Sequence, residues 1–205
     1  MSEKKARIAV FVSGGGTNLQ AILDAQKGGI IKSGEVVLVV SNSEGAYALE
    51  RAKNAGIKAC TVTRKKTGSQ EAFEAELERL MNEEKIDLIV LAGFMNILTE
   101  NFTSKYPKRI INIHPALIPS FCGKGFYGLK VHEAALERGV KLTGATVHYV
   151  NEIADGGEII MQKAVEVCDG DTPEVLQRRV MEQAEWVIFP QAVEKVSAEI
   201  VAAAG

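Results

Sequence analysis

Hydrophobic positions along the first half of the chain follow two alternating rhythms. Short continuous apolar runs, "RIAVFV" (7–12), "VVLVVSN" (36–42), "KACTVT" (58–63), "DLIVLAGF" (87–94) and "RIINIH" (109–114), have the length and β-branched content of buried strands. Between them, apolar residues recur every three to four positions in "LQAILDAQ", "AYALERAKNAGI" and "SQEAFEAELERLMNEEKI". These are amphipathic helices; Gly56 closes the second and Ser69 is placed to cap the third. A shorter helix is expected around Thr99–Tyr106. Apolar strands alternating with helices predict an α/β fold, a Rossmann-like doubly wound sheet that is mostly parallel.

After residue 114 the rhythm changes. "GLKVHEAALERG" continues the helical pattern, but "TGATVHYV" and "EIIMQKAVEV" have alternating character and are joined by the glycine-rich turn "NEIADGG". They predict an antiparallel pair appended to the parallel sheet. "TPEVLQRRVMEQAEWVIF" is a closing helix with Pro173 in its first turn, and Pro190 is expected to break or kink it. There is no linker, repeat or low-complexity segment, so one domain over residues 1–205 is expected.

Composition narrows the function classes. The net charge of −2 over 205 residues gives no basic field for nucleic acid. Three scattered cysteines, Cys60, Cys122 and Cys168, form no disulfide framework or CxxC pair and fit a reducing compartment. No segment approaches the ~20 apolar residues of a membrane helix. The expectation is a cytoplasmic protein that binds small molecules and neither membrane nor nucleic acid.

Doubly wound sheets bind ligands beyond the carboxyl ends of their strands. "SGGGTN", "SN", "AGFMN" and "NIHPA" all fall at that edge. The first opens a helix, where backbone N–H groups and glycines suit a phosphate; a tight turn without ligand is the alternative. A dinucleotide is disfavoured, because Leu19 occupies the last position of the GxGxxG frame and no acidic residue ends the second strand. The Walker lysine is also missing.

Asn112 and His114 share one strand face by the period of two, and Pro115 stops the strand just beyond them. Asp155, in "ADGG", can fold back over that edge, and His148 lies on the strand leading to it. A carboxylate beside His114 would favour its charged form and hold its ring. A carboxamide nearby could donate to a developing oxyanion. The set suits acyl transfer by general acid–base catalysis without an enzyme nucleophile. A Cys122/His114 nucleophile and a zinc site on His114, His132 and His148 are weaker alternatives. His132 is expected on a helix face away from the chemistry, and Trp186 in the core.

"SGGGTNLQ", "SN", "LAGFMNIL", "INIHPALIPSF", "GATVHYV" and "ADGGEII" resemble, in order and spacing, the folate-dependent glycinamide ribonucleotide formyltransferase family, from Arg7 to about Pro190. The resemblance implies a formyltransferase domain acting in purine synthesis. It would move a formyl group from the co-substrate 10-formyltetrahydrofolate to glycinamide ribonucleotide, with no metal. It implies that Asn112, His114 and Asp155 are catalytic and that His148 supports them. Gly16, Thr17 and Asn18 would hold the substrate phosphate and Glu185 the ribose. Met95, Asn96, Ile97 and Leu98, with Asn112, would line the folate pocket, and the turn before Asp155 would pack along the pterin.

The chain departs from the family pattern in places. Asn96 and Gln70 stand where arginines are expected, and Trp186 replaces a histidine. The loop "FCGKGFYGLK", which carries Lys124, is longer than in some relatives. Three rival readings remain. A formyltetrahydrofolate deformylase normally carries an extra N-terminal domain, and a methionyl-tRNA formyltransferase carries an added C-terminal one. A non-catalytic nucleotide-binding module would leave Asn112, His114 and Asp155 unexplained.

Overall fold

A computed structural model describes residues 4–204. Seven strands form one sheet in the order β3-β2-β1-β4-β5-β6-β7. The first five, β1 (Ala6–Val12), β2 (Gly34–Ser41), β3 (Lys58–Thr61), β4 (Leu88–Leu91) and β5 (Ile110–His114), pair in parallel. β6 (Leu142–Tyr149) and β7 (Ile159–Glu166) add the antiparallel pair. The expected fold is therefore the observed one.

Strand alternation sorts the core into two layers. Ile8, Val10 and Val12 of β1 pack on one face with α1 (Thr17–Lys27) and α8 (Trp186–Ala203). Ala9 and Phe11 point to the other face, toward α4 (Gln70–Glu83) and Phe102 of α5 (Glu100–Thr103). On β5, Ile111 and Ile113 join the first layer and Ile110 the second. Asn112 and His114 continue the Ile110 face to the strand's carboxyl end, so a single alternation both buries the strand and delivers its polar pair to the edge.

Local side-chain caps account for some of the helix starts. Ser69 Oγ accepts from Ala72 N, and Thr172 Oγ1 accepts from Val175 N at the head of α7 (Pro173–Val180). Ending α2 (Tyr47–Asn54), Gly56 adopts φ 70°. A short helix, α3 (Arg64–Thr67), was not expected, and the helix near Thr99 is shorter than its predicted span.

Pro190 requires a correction. The helical path runs through a buried Pro190 to Ala203, and the irregularity is instead a π-helical turn at Met181–Glu185. The hydrogen bond that Pro190 cannot donate would have gone to the carbonyl of Trp186, the residue that directly follows the π turn. Trp186 also departs from expectation. It is only partly buried, outside the core, and its indole N–H has no partner.

Candidate active site

The strand order diverges at β1, whose neighbours β2 and β4 lead to opposite edges of the sheet. The loops leaving β1 and β4 separate there and are tied across the gap by Met95 N donating to Ser13 Oγ at 2.8 Å. A cleft of about 730 Å³ opens at this point. Thr17, Asn18 and Glu185 line it, and so do Asn112, His114 and Asp155. A smaller cavity of about 120 Å³ shares Asn112 and Asp155 and is walled by Asn96, Ile97, Leu98 and His148. The predicted site residues thus come together, except that Gly16 shapes the cleft from behind without lining it.

Asp155 is the hub. Its Oδ2 lies 3.5 Å from His114 Nδ1 and its Oδ1 3.5 Å from His148 Nε2. Gly123 N donates to Oδ2 at 2.8 Å. Burial pushes the Asp155 carboxyl up, but hydrogen bonds from His148 and Gly123 and the two imidazole charges outweigh it. The group is held below the usual carboxylate range. Its backbone is left-handed, φ 55°, a conformation that aspartate tolerates better than most residues. Gly157 lets the turn close: a Cβ there would sit 1.7 Å from Tyr149 O.

Antiparallel register supplies the second histidine. His148 pairs across from Asn112, at an irregularity in the β6–β7 ladder. Its Nδ1 hydrogen goes to Tyr149 O at 2.8 Å. Nε2 accepts from Asn112 Nδ2 at 3.2 Å when the ring is neutral, and faces Asp155 as a donor when it is charged. His114 Nε2 donates to Phe121 O at 2.8 Å, so both of its nitrogens face acceptors. Phe121 reaches this position with φ 50°, a strained conformation for a bulky residue and one that marks functional loops.

The other end of the cleft is built around the start of α1. No side chain caps this helix, which leaves its N–H donors open to an anion. Gly16 has φ 71°, and a Cβ there would meet Ala48 Cβ at 2.6 Å; Gly14 and Gly15 face open space. Asn18 Nδ2 donates to Glu185 Oε2 at 2.6 Å. Glu185, at the end of the π turn, is buried, and burial pushes its carboxyl pKa up.

Large apolar side chains stand exposed around the two cavities: Met95 at 55% on the larger, and Ile97 at 66% and Ile153 at 61% on the smaller. That clustering suits a flat aromatic ligand. Asn96 Oδ1 accepts from Asn42 Nδ2 at 3.0 Å, and Gln70 Nε2 donates to Glu74 and to Ile97 O. Both amides are thereby tied to protein groups.

The weaker alternatives lose support. Burial raises the Cys122 thiol, and its Sγ donates to Pro119 O rather than to an imidazole. Among the described residues no cluster of His, Cys, Asp and Glu is placed to hold a metal, and no helix is long and apolar enough to cross a membrane. Sequence reasoning missed three contributors: the Phe121 carbonyl, the Gly123 N–H and His132. The first two are backbone groups with no side-chain signature. His132 was expected away from the chemistry, yet it lines the cleft from α6 (Leu129–Arg138).

A doubly wound α/β domain whose edge cleft joins an open helix N-terminus to a carboxylate, two imidazoles and a carboxamide has the parts of a group-transfer enzyme. More specifically, the chain belongs to the formyl transferase family, whose model matches residues 6–193. It is 42% identical over 186 residues to phosphoribosylglycinamide formyltransferase of Escherichia coli, covering 91% of this chain and 84% of that protein. With the chloroplastic phosphoribosylglycinamide formyltransferase of Arabidopsis thaliana it shares 38% identity, covering 96% of this chain and 67% of that one. It matches the trifunctional purine biosynthetic protein adenosine-3 of Gallus gallus at 44% over 94% of its length, but spans only 18% of that protein. Among solved structures, glycinamide ribonucleotide transformylase 1 from Symbiobacterium toebii superposes with a TM-score of 0.88 at 42% identity, covering 95% and 89% of the two chains.

Proposed function

We propose that this chain transfers the formyl group of 10-formyltetrahydrofolate to the amine of glycinamide ribonucleotide, a step of purine biosynthesis. The observation that carries the reading is the Asp155 carboxylate facing His114 and His148 at 3.5 Å each, with Asn112 joined to His148 at the junction of the two cavities. The folate occupies the cavity walled by residues 96–98 and the Ile153 turn, with Met95 on the adjoining cleft. The acceptor's phosphate sits at the start of α1 beside Thr17 and Asn18, and Glu185 holds its ribose.

The amine lone pair forms the new C–N bond, and the carbonyl π pair moves onto the formyl oxygen. Asn112 Nδ2 and a His114 N–H stabilise that oxyanion. The proton lost by the amine replaces the one that N10 takes as its bond to carbon breaks, so no net proton is consumed. Asp155, kept ionised, stabilises the charged ring that holds the proton in transit. In the resting chain His114 Nε2 donates to Phe121 O; the substrate competes with that carbonyl for the donor. Holding both reactants in one cleft supplies proximity.

The test follows folate release from 10-formyltetrahydrofolate with and without glycinamide ribonucleotide. Release that depends on the acceptor is expected. Equal release without it would instead mark a deformylase-type hydrolase, with water as acceptor.

A further inference from the structure

We propose that His132 is an acceptor-binding residue, whose neutral imidazole hydrogen-bonds the glycinamide arm in the cleft. The inference rests on the acceptor assigned above. His132 lies in the first turn of α6 and is fully buried, yet neither ring nitrogen has a partner. The other two imidazoles differ: His114 bonds Phe121 O and His148 bonds Tyr149 O. Buried polar atoms are nearly always paired, because an orphan forfeits its bonds to water without replacement. A second orphan, Asn18 Oδ1, belongs to the same cleft. Two unpaired groups on one cavity wall are what a missing polar ligand leaves behind.

The chemistry of the ring fits the arm. Burial, and then the charge of His114, drive the His132 pKa down to about 4, so the ring is neutral at working pH. A neutral imidazole has one N–H and one lone pair. The acceptor arm, an amine joined through one carbon to an amide, carries both N–H donors and a carbonyl. Accepting an amine hydrogen orients the nitrogen without protonating it, which leaves its lone pair free for the formyl carbon.

The experiment compares wild type with His132→Phe and His132→Gln. For His132→Phe the acceptor KM is expected to rise about tenfold, the worth of one hydrogen bond, with the folate KM unchanged and Tm equal or higher. His132→Gln, which keeps a donor and an acceptor, is expected to recover part of the acceptor affinity. A His132→Phe enzyme with lower Tm and wild-type KM for both substrates would show a merely structural histidine and overturn the proposal. Independently of any variant, ¹⁵N resonances of the His132 ring in wild type are expected to shift on titration with glycinamide ribonucleotide. Binding without that shift overturns this inference alone, whereas failure of wild type to bind the acceptor overturns the functional reading beneath it.

Discussion

The two ends of the cleft are assembled by different means. The proposed acceptor end is largely local: a glycine turn and the start of α1 follow each other in the chain, and Glu185 and His132 come from afar. The proposed catalytic end is assembled across the fold. Asn112 and His114 come from β5, His148 from β6 and Asp155 from the turn after it, and the loop of residues 121–128 clamps them. A short motif can therefore build a phosphate cradle, whereas the proton-handling set depends on strand register. Changes at the acceptor end should act through binding and local stability, and changes at the catalytic end through turnover.

Exchange of Asp155 for Asn gives the largest expected effect. The substitution keeps the side chain's size and its tolerance of positive φ but removes the charge shared by the two histidines. Turnover should fall by about 10²–10⁴-fold, the usual worth of general acid–base assistance, while folate affinity measured by titration stays near wild type. Normal turnover would end the assignment.

Gly16→Ala breaks the other end. Its Cβ meets the α2 backbone and β-carbon at a left-handed residue, so chemical denaturation should register a loss of about 2–3 kcal/mol. Gly15→Ala sharpens the contrast, because open space surrounds that position. Stability should change by less than about 0.5 kcal/mol while acceptor affinity falls. Equal stability losses in the two variants would contradict the close approach at Gly16.

Glu185→Gln probes a distant contributor to the proposed acceptor end. The raised Glu185 pKa means that the folded state prefers the protonated acid. That contribution is complete below the unfolded pKa near 4.3 and is lost as pH rises through the folded value. Glutamine avoids the loss and can donate to the unpaired Asn18 Oδ1. The variant should be more stable than wild type by roughly 1 kcal/mol at neutral pH, with the advantage vanishing in acid, while the acceptor KM rises. A pH-independent difference would contradict a buried ionisable role. The smallest effect is expected from Asn96→Arg: an exposed ion pair should improve binding of a polyglutamylated folate about twofold, seen by comparing it with the monoglutamate.

Much of this was legible in the chain. The strand and helix periods predicted the doubly wound sheet and its antiparallel extension, and Ser69 announced its cap through a local hydrogen bond. "NIHP" placed Asn112 and His114 on one face because alternation along a strand is a local rule. Pro190 misled, because its cost inside a helix depends on the turn packed before it. His132 misled as well: its position on α6 is readable, but the side of the fold against which that helix packs is not.

The sequence by itself determined the element order, the polar pair at the end of β5 and the glycine turn. Each follows from side-chain direction and backbone sterics within a few residues. Only the tertiary structure decided that His148 stands across from Asn112, that Asp155 faces both histidines, that the Phe121 carbonyl holds His114 and that His132 lies unpaired in the cleft wall. Those relations depend on register, turn closure and helix docking, through which the fold joins residues distant in the chain.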